Sequence, residues 1–159
     1  SADTFAPDRT VTRAEFAAML VRALGLVEQA GESLYADVRP EAAWYTGAVG
    51  AASEAGLVEG YEDGTFRPDA LVSREQLAAM LARAIRYAGE LPQADVSALG
   101  RFSDYADVAD WAKQPAAQLL AAGLIEGITD TTFAPQEPAT RAQSAVLLKR
   151  MLHVLKFID

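Results

Sequence analysis

Three arginines, Arg13, Arg74 and Arg141, hold one position in a cassette that the chain repeats three times. Each follows a hydroxyl residue, Thr12, Ser73 or Thr140, and each lies two residues before Glu15, Gln76 or Gln143. A guanidinium fork can grip a carboxylate or phosphate through two parallel N–H bonds. Ser or Thr followed three residues later by Glu or Gln is a capping box, in which the hydroxyl and the Glu or Gln satisfy each other's backbone N–H. Each arginine is therefore expected in the first turn of a helix. A cation there faces the positive end of the helix dipole, at a cost of about 0.3–1 kcal/mol.

A cost incurred at three equivalent positions needs a reason. One reading is an anion held jointly by the guanidinium and the free N–H groups of the helix start. The other is an ion pair with an Asp or Glu of an adjoining repeat. The capping residues Glu15, Gln76 and Gln143 would hold the helix start in place and accept from ligand hydroxyls in the first reading.

The elements that position these residues follow from apolar periodicity. Phe16, Met19, Leu20 and Leu24 fall at helical spacing, as do Leu77, Met80, Leu81 and Ile85, and Leu147, Leu148, Met151 and Leu155. Helices are expected to begin near residues 13, 74 and 141. Arg22, Arg83 and Arg150 repeat nine residues after the first arginines, on the opposite side of each helix, where a structural role is expected.

A second half-cassette occurs twice at an offset of 67 residues. Tyr35-Ala36-Asp37, Trp44 and Gly56-Leu57-Val58-Glu59-Gly60 in one copy match Phe102-Ser103-Asp104, Trp111 and Gly123-Leu124-Ile125-Glu126-Gly127 in the other. Ala-rich helices are expected from each tryptophan to Gly56 and Gly123, which read as left-handed C′ residues. Pro115 is expected in or just after the first turn. Trp44 and Trp111 have two open readings, a saccharide platform or packing between helices, of which packing is preferred. Asp37 and Asp104 read as caps or loop-fixing residues. Gly60 and Gly127 suit either close approach of a ligand or a turn needing positive φ.

The ordered set of motifs resembles the S-layer homology module: an aromatic–x–Asp start, a tryptophan helix, a Gly-Leu/Ile–x–x–Gly turn, the loop Asp63-Gly64-Thr65-Phe66-Arg67-Pro68, and Thr12-Arg13-Ala14-Glu15. The resemblance spans nearly the whole chain. It divides the chain into residues 1–32, the C-terminal half of a first module, then 33–92 and 93–159, two complete modules, in one compact domain. The fold it implies is all-α, tandem helix-loop-helix repeats with approximate threefold symmetry around a central bundle of the three capping-box helices. The tryptophan helices would lie outside, with one apolar edge left open where the first copy has none. The copies differ: Gln76 and Gln143 replace the family's Glu, and Glu75, beside Arg74, is expected to neutralise that site.

The function the resemblance implies is non-covalent binding of an acidic secondary cell-wall polysaccharide, such as one with pyruvylated N-acetylmannosamine. This would anchor a surface-layer protein or surface enzyme, extracellularly, to the bacterial cell wall. The ligand-binding set would be Arg13, Arg74, Arg141, Glu15, Gln76, Gln143, Trp44, Trp111, Gly60 and Gly127. The alternative is a helical protein–protein scaffold in a surface assembly, and self-association through the open edge is a further expectation.

Composition agrees with this reading. The chain has 159 residues, 51% of them hydrophobic, and no cysteine, enough for a core that owes nothing to disulfides. A net charge of −8 argues against nucleic-acid partners, and no apolar run is long enough for membrane insertion. No cofactor is expected. There is no cysteine–histidine cluster for zinc. Aligning Gly64 to the sixth position of a calcium loop puts Tyr61 and Ala70 where oxygen ligands are needed. His153 has no partner copy, and no carboxylate pair is unique to one place as a glycosidase requires. Catalysis is not expected of this chain.

Overall fold

A computed structural model describes residues 5–28, 34–39 and 43–159. Five α-helices appear among them: α1 (Arg13–Ala23), α2 (Thr46–Glu54), α3 (Arg74–Ala88), α4 (Asp110–Ala121) and α5 (Arg141–Val154). Short 3₁₀ turns cover Val96–Arg101 and Tyr105–Asp107. The described chain is helical, with only isolated backbone bridges. The expected module boundary between residues 32 and 33 lies outside the described residues.

All three expected capping boxes form, at Thr12–Glu15, Ser73–Gln76 and Thr140–Gln143. They start α1, α3 and α5 at the three arginines. These helices pack against one another, each touching the other two. Phe16, Leu20, Leu77, Leu81, Ile85, Leu147 and Met151 from the expected apolar faces are buried between them. Gly56 and Gly123 follow α2 and α4 at φ 69° and 68°, as C′ residues that close the helix.

The loops entering the three helices interlock in a closed cycle. The N–H of Val11 donates to the carbonyl of Ala139 at 3.0 Å, that of Ala139 to Val72 at 2.9 Å, and that of Val72 to Val11 at 2.9 Å. Each helix start is also capped by the neighbouring copy. Arg13 and Ala14 donate backbone N–H bonds to Ala70 and Pro68, Arg74 and Glu75 to Glu137 and Pro135, and Arg141 and Ala142 to Arg9 and Pro7. The first-turn N–H groups that an isolated helix leaves open are taken within the chain.

Helix α2 packs on α1 and α4 on α3. Both contacts join alanine faces: Ala14, Ala17 and Ala18 with Ala48 and Ala52, and Ala78, Ala79 and Ala82 with Ala112, Ala116 and Ala117 are all buried. Small residues let helix axes approach toward the lower end of the 8–10 Å range. Helix α5 has no such cover among the described residues. Val146 is 48% exposed, whereas its counterpart Ala79 on α3 is 3% exposed. The expected open apolar edge is this face of α5.

Pro115 is the sixth residue of α4, just after the first turn as expected, and it denies a helical N–H to the carbonyl of Trp111. The segment after Gly89 is tied to the fold: Leu99 is fully buried, and Gln118 and Gln114 donate to the carbonyls of Pro92 and Ala94. One local expectation is corrected. Helix α2 begins only at Thr46, so Trp44 stands in the turn before it.

Candidate functional site

The first-turn arginines project from their own helix into the loop of the next copy. Arg13 donates from Nε to the carbonyl of Phe66 at 2.8 Å and from Nη2 to that of Glu59 at 3.0 Å. Arg74 repeats this with Phe133 at 3.0 Å and Glu126 at 2.8 Å. Both are buried, 5% and 7% exposed. Desolvation pulls both guanidinium groups below their ordinary pKa, yet arginine remains charged at neutral pH. Neither makes an ion pair among the described residues. Backbone carbonyls, rather than a carboxylate of an adjoining repeat, hold both guanidinium groups. Arg141 differs: its Nε is buried without a hydrogen-bond partner among the described residues, and its guanidinium carbon lies 5.4 Å from the Phe5 ring centre.

The cycle of backbone caps overturns one part of the anion reading. A ligand cannot use the N-terminal N–H groups of α1, α3 or α5, because carbonyls of the neighbouring copy and the capping hydroxyls hold them.

The loops that receive the arginines are built by aspartates. Asp37 accepts the N–H groups of Phe66 and Arg67 at 2.8 and 2.7 Å, and Asp104 those of Phe133 and Ala134 at 2.9 and 2.7 Å. Arg67 and Ala134 sit at φ 57° and 54°, a strained region for residues with a Cβ. Burial pushes the Asp104 carboxyl up, but the Phe133 and Ala134 N–H bonds outweigh it and hold the group below the usual range. The loop-fixing expectation is met by direct contact.

Gly60 and Gly127 do not serve the expected positive-φ turn. Neither is at positive φ. The place of a Cβ on Gly60 is taken by the Tyr35 ring and lies 2.8 Å from the Thr65 carbonyl. On Gly127 it is taken by the Phe102 ring and the Thr129 and Thr132 carbonyls. These aromatic rings lean on Phe66 and Phe133, with ring centres 5.3 and 5.4 Å apart. The glycines are the price of that packing.

Arg13 lines a groove of about 380 Å³ drawn from all three copies. Its walls are the Glu59–Glu62 turn of the second copy, Gln76, Met80 and Arg83 of α3, and Trp111 of α4. The Gln76 amide donates to the Tyr61 hydroxyl at 2.9 Å, and the guanidinium carbons of Arg13 and Arg67 lie 4.9 and 3.8 Å from the centre of the Tyr61 ring. A second groove of about 370 Å³ repeats the pattern with Arg74, Glu126, Gly127, Gln143, Leu147 and Arg150. Ile128 stands there in place of Tyr61, and no tryptophan is among its described walls.

The structure thus gathers Arg13, Gln76, Gly60 and Trp111 in one groove, and Arg74, Gln143 and Gly127 in the other. Glu15 and Trp44 join neither. Glu15 pairs with Arg9 at 2.6 Å, and Trp44 meets Tyr45 edge-on. Glu75 does not neutralise Arg74. Its carboxylate, buried, accepts from the Ala109 N–H and the Gln136 amide. The preferred packing reading of the tryptophans is corrected: Trp44 and Trp111 are 58% and 54% exposed. Ala112, Ala116 and Leu119 form the buried stripe of α4, and Trp111 lies about 100° of helix rotation from Ala112.

Sequence reasoning missed Arg83 and Arg150. They do face away from the first arginine of their own helix, and that direction opens onto the groove of another copy's arginine. Arg83 pairs with Glu59 at 2.7 Å, and Arg150 with Glu126 at 3.5 Å. The signal was available, since both glutamates and both arginines recur at the 67-residue offset.

The S-layer homology domain model matches residues 1–17, 34–78 and 101–145. Over 93% of its length the chain is 35% identical to Exoglucanase XynX of Acetivibrio thermocellus, of which it covers 13%. It is 32% identical over 98% of its length to a cellulosome-anchoring protein of the same organism, of which it covers 36%. A surface layer protein of Brevibacillus choshinensis is 39% identical over 52% of this chain, which is 8% of that protein. The chain therefore spans about a third or less of these relatives. On the matched motifs and the helical repeats that carry them, the chain belongs to the S-layer homology domain family.

Proposed function

We propose that this chain is a non-catalytic anchoring module of the extracellular bacterial cell wall that binds an acidic secondary cell-wall polysaccharide in the Arg13 groove. The observation that carries this reading is a buried guanidinium on the groove held by two backbone carbonyls, with no carboxylate in ion-pair contact among the described residues. An anion placed there satisfies a cation that the fold has already desolvated. Trp111 adds an exposed aromatic face of the kind that stacks on sugar rings. Pyruvylated N-acetylmannosamine fits, since its ketal carboxylate suits the arginine and its ring suits the tryptophan. The Arg74 groove is the weaker site in this reading because it has the cation without the aromatic wall. Arg141 would be a third, weakest site. The relatives' names, a cellulosome-anchoring protein and a surface layer protein among them, support the anchoring role.

The test is calorimetric titration with purified cell-wall polymer before and after chemical removal of its acidic ketals. Binding lost with the ketals, and weakened at least tenfold by Trp111→Ala, supports the reading. Equal binding of both polymers refutes it. The open face of α5, with Val146 half exposed, supports self-association as a second property, to be read by sedimentation.

A further inference from the structure

Glu59 touches both cations of the first groove. Its backbone carbonyl accepts from Nη2 of Arg13 at 3.0 Å, and its carboxylate accepts from Nη2 of Arg83 at 2.7 Å. Glu126 stands in the same relation to Arg74, at 2.8 Å, and Arg150, at 3.5 Å. Arg22, the corresponding arginine of α1, pairs instead with Glu28 at 3.0 Å.

The two halves of this contact differ in character. The carbonyl bond is part of the buried frame and independent of the side chain's identity. The carboxylate is outside it, with the Glu59 side chain 73% exposed and that of Arg83 27% exposed. An exposed pair contributes little to stability and is easily opened. Its geometry nevertheless places an anion on Nη2 of Arg83, at the mouth of a groove whose floor holds the buried Arg13 cation on backbone carbonyls.

We propose that Glu59 is a resident counter-anion of the groove, which the acidic group of the ligand displaces from Arg83, and that Glu59 thereby limits the preference for acidic over neutral sugars. This inference rests on the acidic-glycan reading above. In the free protein the Glu59 carboxylate occupies Arg83 and repels a second anion. On binding, it swings into solvent, and Arg83 closes on the ligand from the side opposite Arg13. The Arg150–Glu126 pair is longer, and Arg150 also donates to the Leu124 carbonyl at 3.3 Å, so the same exchange is weaker in the second groove.

The test measures two probes: the methyl glycoside of 4,6-pyruvyl-ketal N-acetylmannosamine, and its carboxyl methyl ester. The readout is the ratio of acid to ester affinity in the native chain, Glu59→Gln, Arg83→Ala and the double variant. Glu59→Gln keeps the backbone carbonyl that holds Arg13, and helical circular dichroism checks folding of each variant. Removing one like charge at the groove mouth is expected to raise the ratio about fivefold. That gain should vanish when Arg83 is alanine. A ratio unchanged or lowered in Glu59→Gln, or a gain that persists without Arg83, overturns the proposal while leaving the acidic-glycan reading intact. Equal affinity of the native chain for acid and ester, or failure to bind either, removes that reading and this inference with it.

Discussion

The guanidinium of Arg13 donates 3.0 Å to the carbonyl of Glu59, across a junction between two sequence repeats. This contact makes a first-turn arginine tolerable. The helix dipole disfavours it, but carbonyl oxygens from the next copy receive its N–H groups. The arginine is thus both a staple between copies and the floor of a groove.

The staple predicts a ranking of truncations. Arg74→Ala strips its bonds from the carbonyls of Phe133 and Glu126 and should cost about 1.5–3 kcal/mol, the range for hydrogen bonds to charged groups. Arg141→Ala removes a group whose Nε has no partner among the described residues and should cost about 1 kcal/mol or less. Urea denaturation of the two variants compares them directly. An equal or reversed ranking contradicts the staple.

Acid should loosen the receiving loops. The folded Asp104 carboxyl lies below its usual range. Asp63 is held at about 2, first by the Thr65 hydroxyl, then by the Thr65 N–H and Arg67. Folded values below unfolded ones stabilise the fold above roughly pH 4 and lose that contribution as pH falls through the folded values. Thermal melts should therefore weaken progressively from about pH 4 downward. Asp104→Asn should flatten this slope and cost about 1–3 kcal/mol at neutral pH, leaving a loop N–H poorly matched.

Gly60 should reject even alanine. The added methyl group would meet the Tyr35 ring and the Thr65 carbonyl, an overpacking expected to cost about 1–3 kcal/mol. Adding Tyr35→Ala should remove the ring clash, while the crowding against the Thr65 carbonyl and the lost ring contact with Phe66 remain. The measurement is a double-mutant cycle in urea, with a favourable coupling expected. Additive losses would show that the ring is not what excludes the methyl.

The open face of α5 predicts unequal tolerance at equivalent positions. Val146→Glu should change stability by no more than about 0.5 kcal/mol, as at other exposed sites. Ala79→Glu buries a carboxylate under α4 and should cost at least about 3 kcal/mol. If the face mediates self-association, Val146→Glu also lowers the sedimenting mass.

Much of this protein was legible in its sequence because the information is local. A capping box needs four consecutive residues, an apolar face needs one helical period, and a C′ glycine needs one position. The starts of α1, α3 and α5 and the ends of α2 and α4 could therefore be read directly. The repeat itself showed which positions the architecture reuses, Asp37 with Asp104 and Arg13 with Arg74. What the repeat could not show was direction. Arg83 faces away from Arg74 on one helix, and only packing across copies brings it to Arg13. Trp111 looked like core until α4 buried its alanine stripe and left the indole on the groove wall. The helix starts looked open to an anion until carbonyls of the next copy closed them. In each case the deciding partner lies dozens of residues away, and hydrogen bonding and close packing between distant segments exist only in the folded chain.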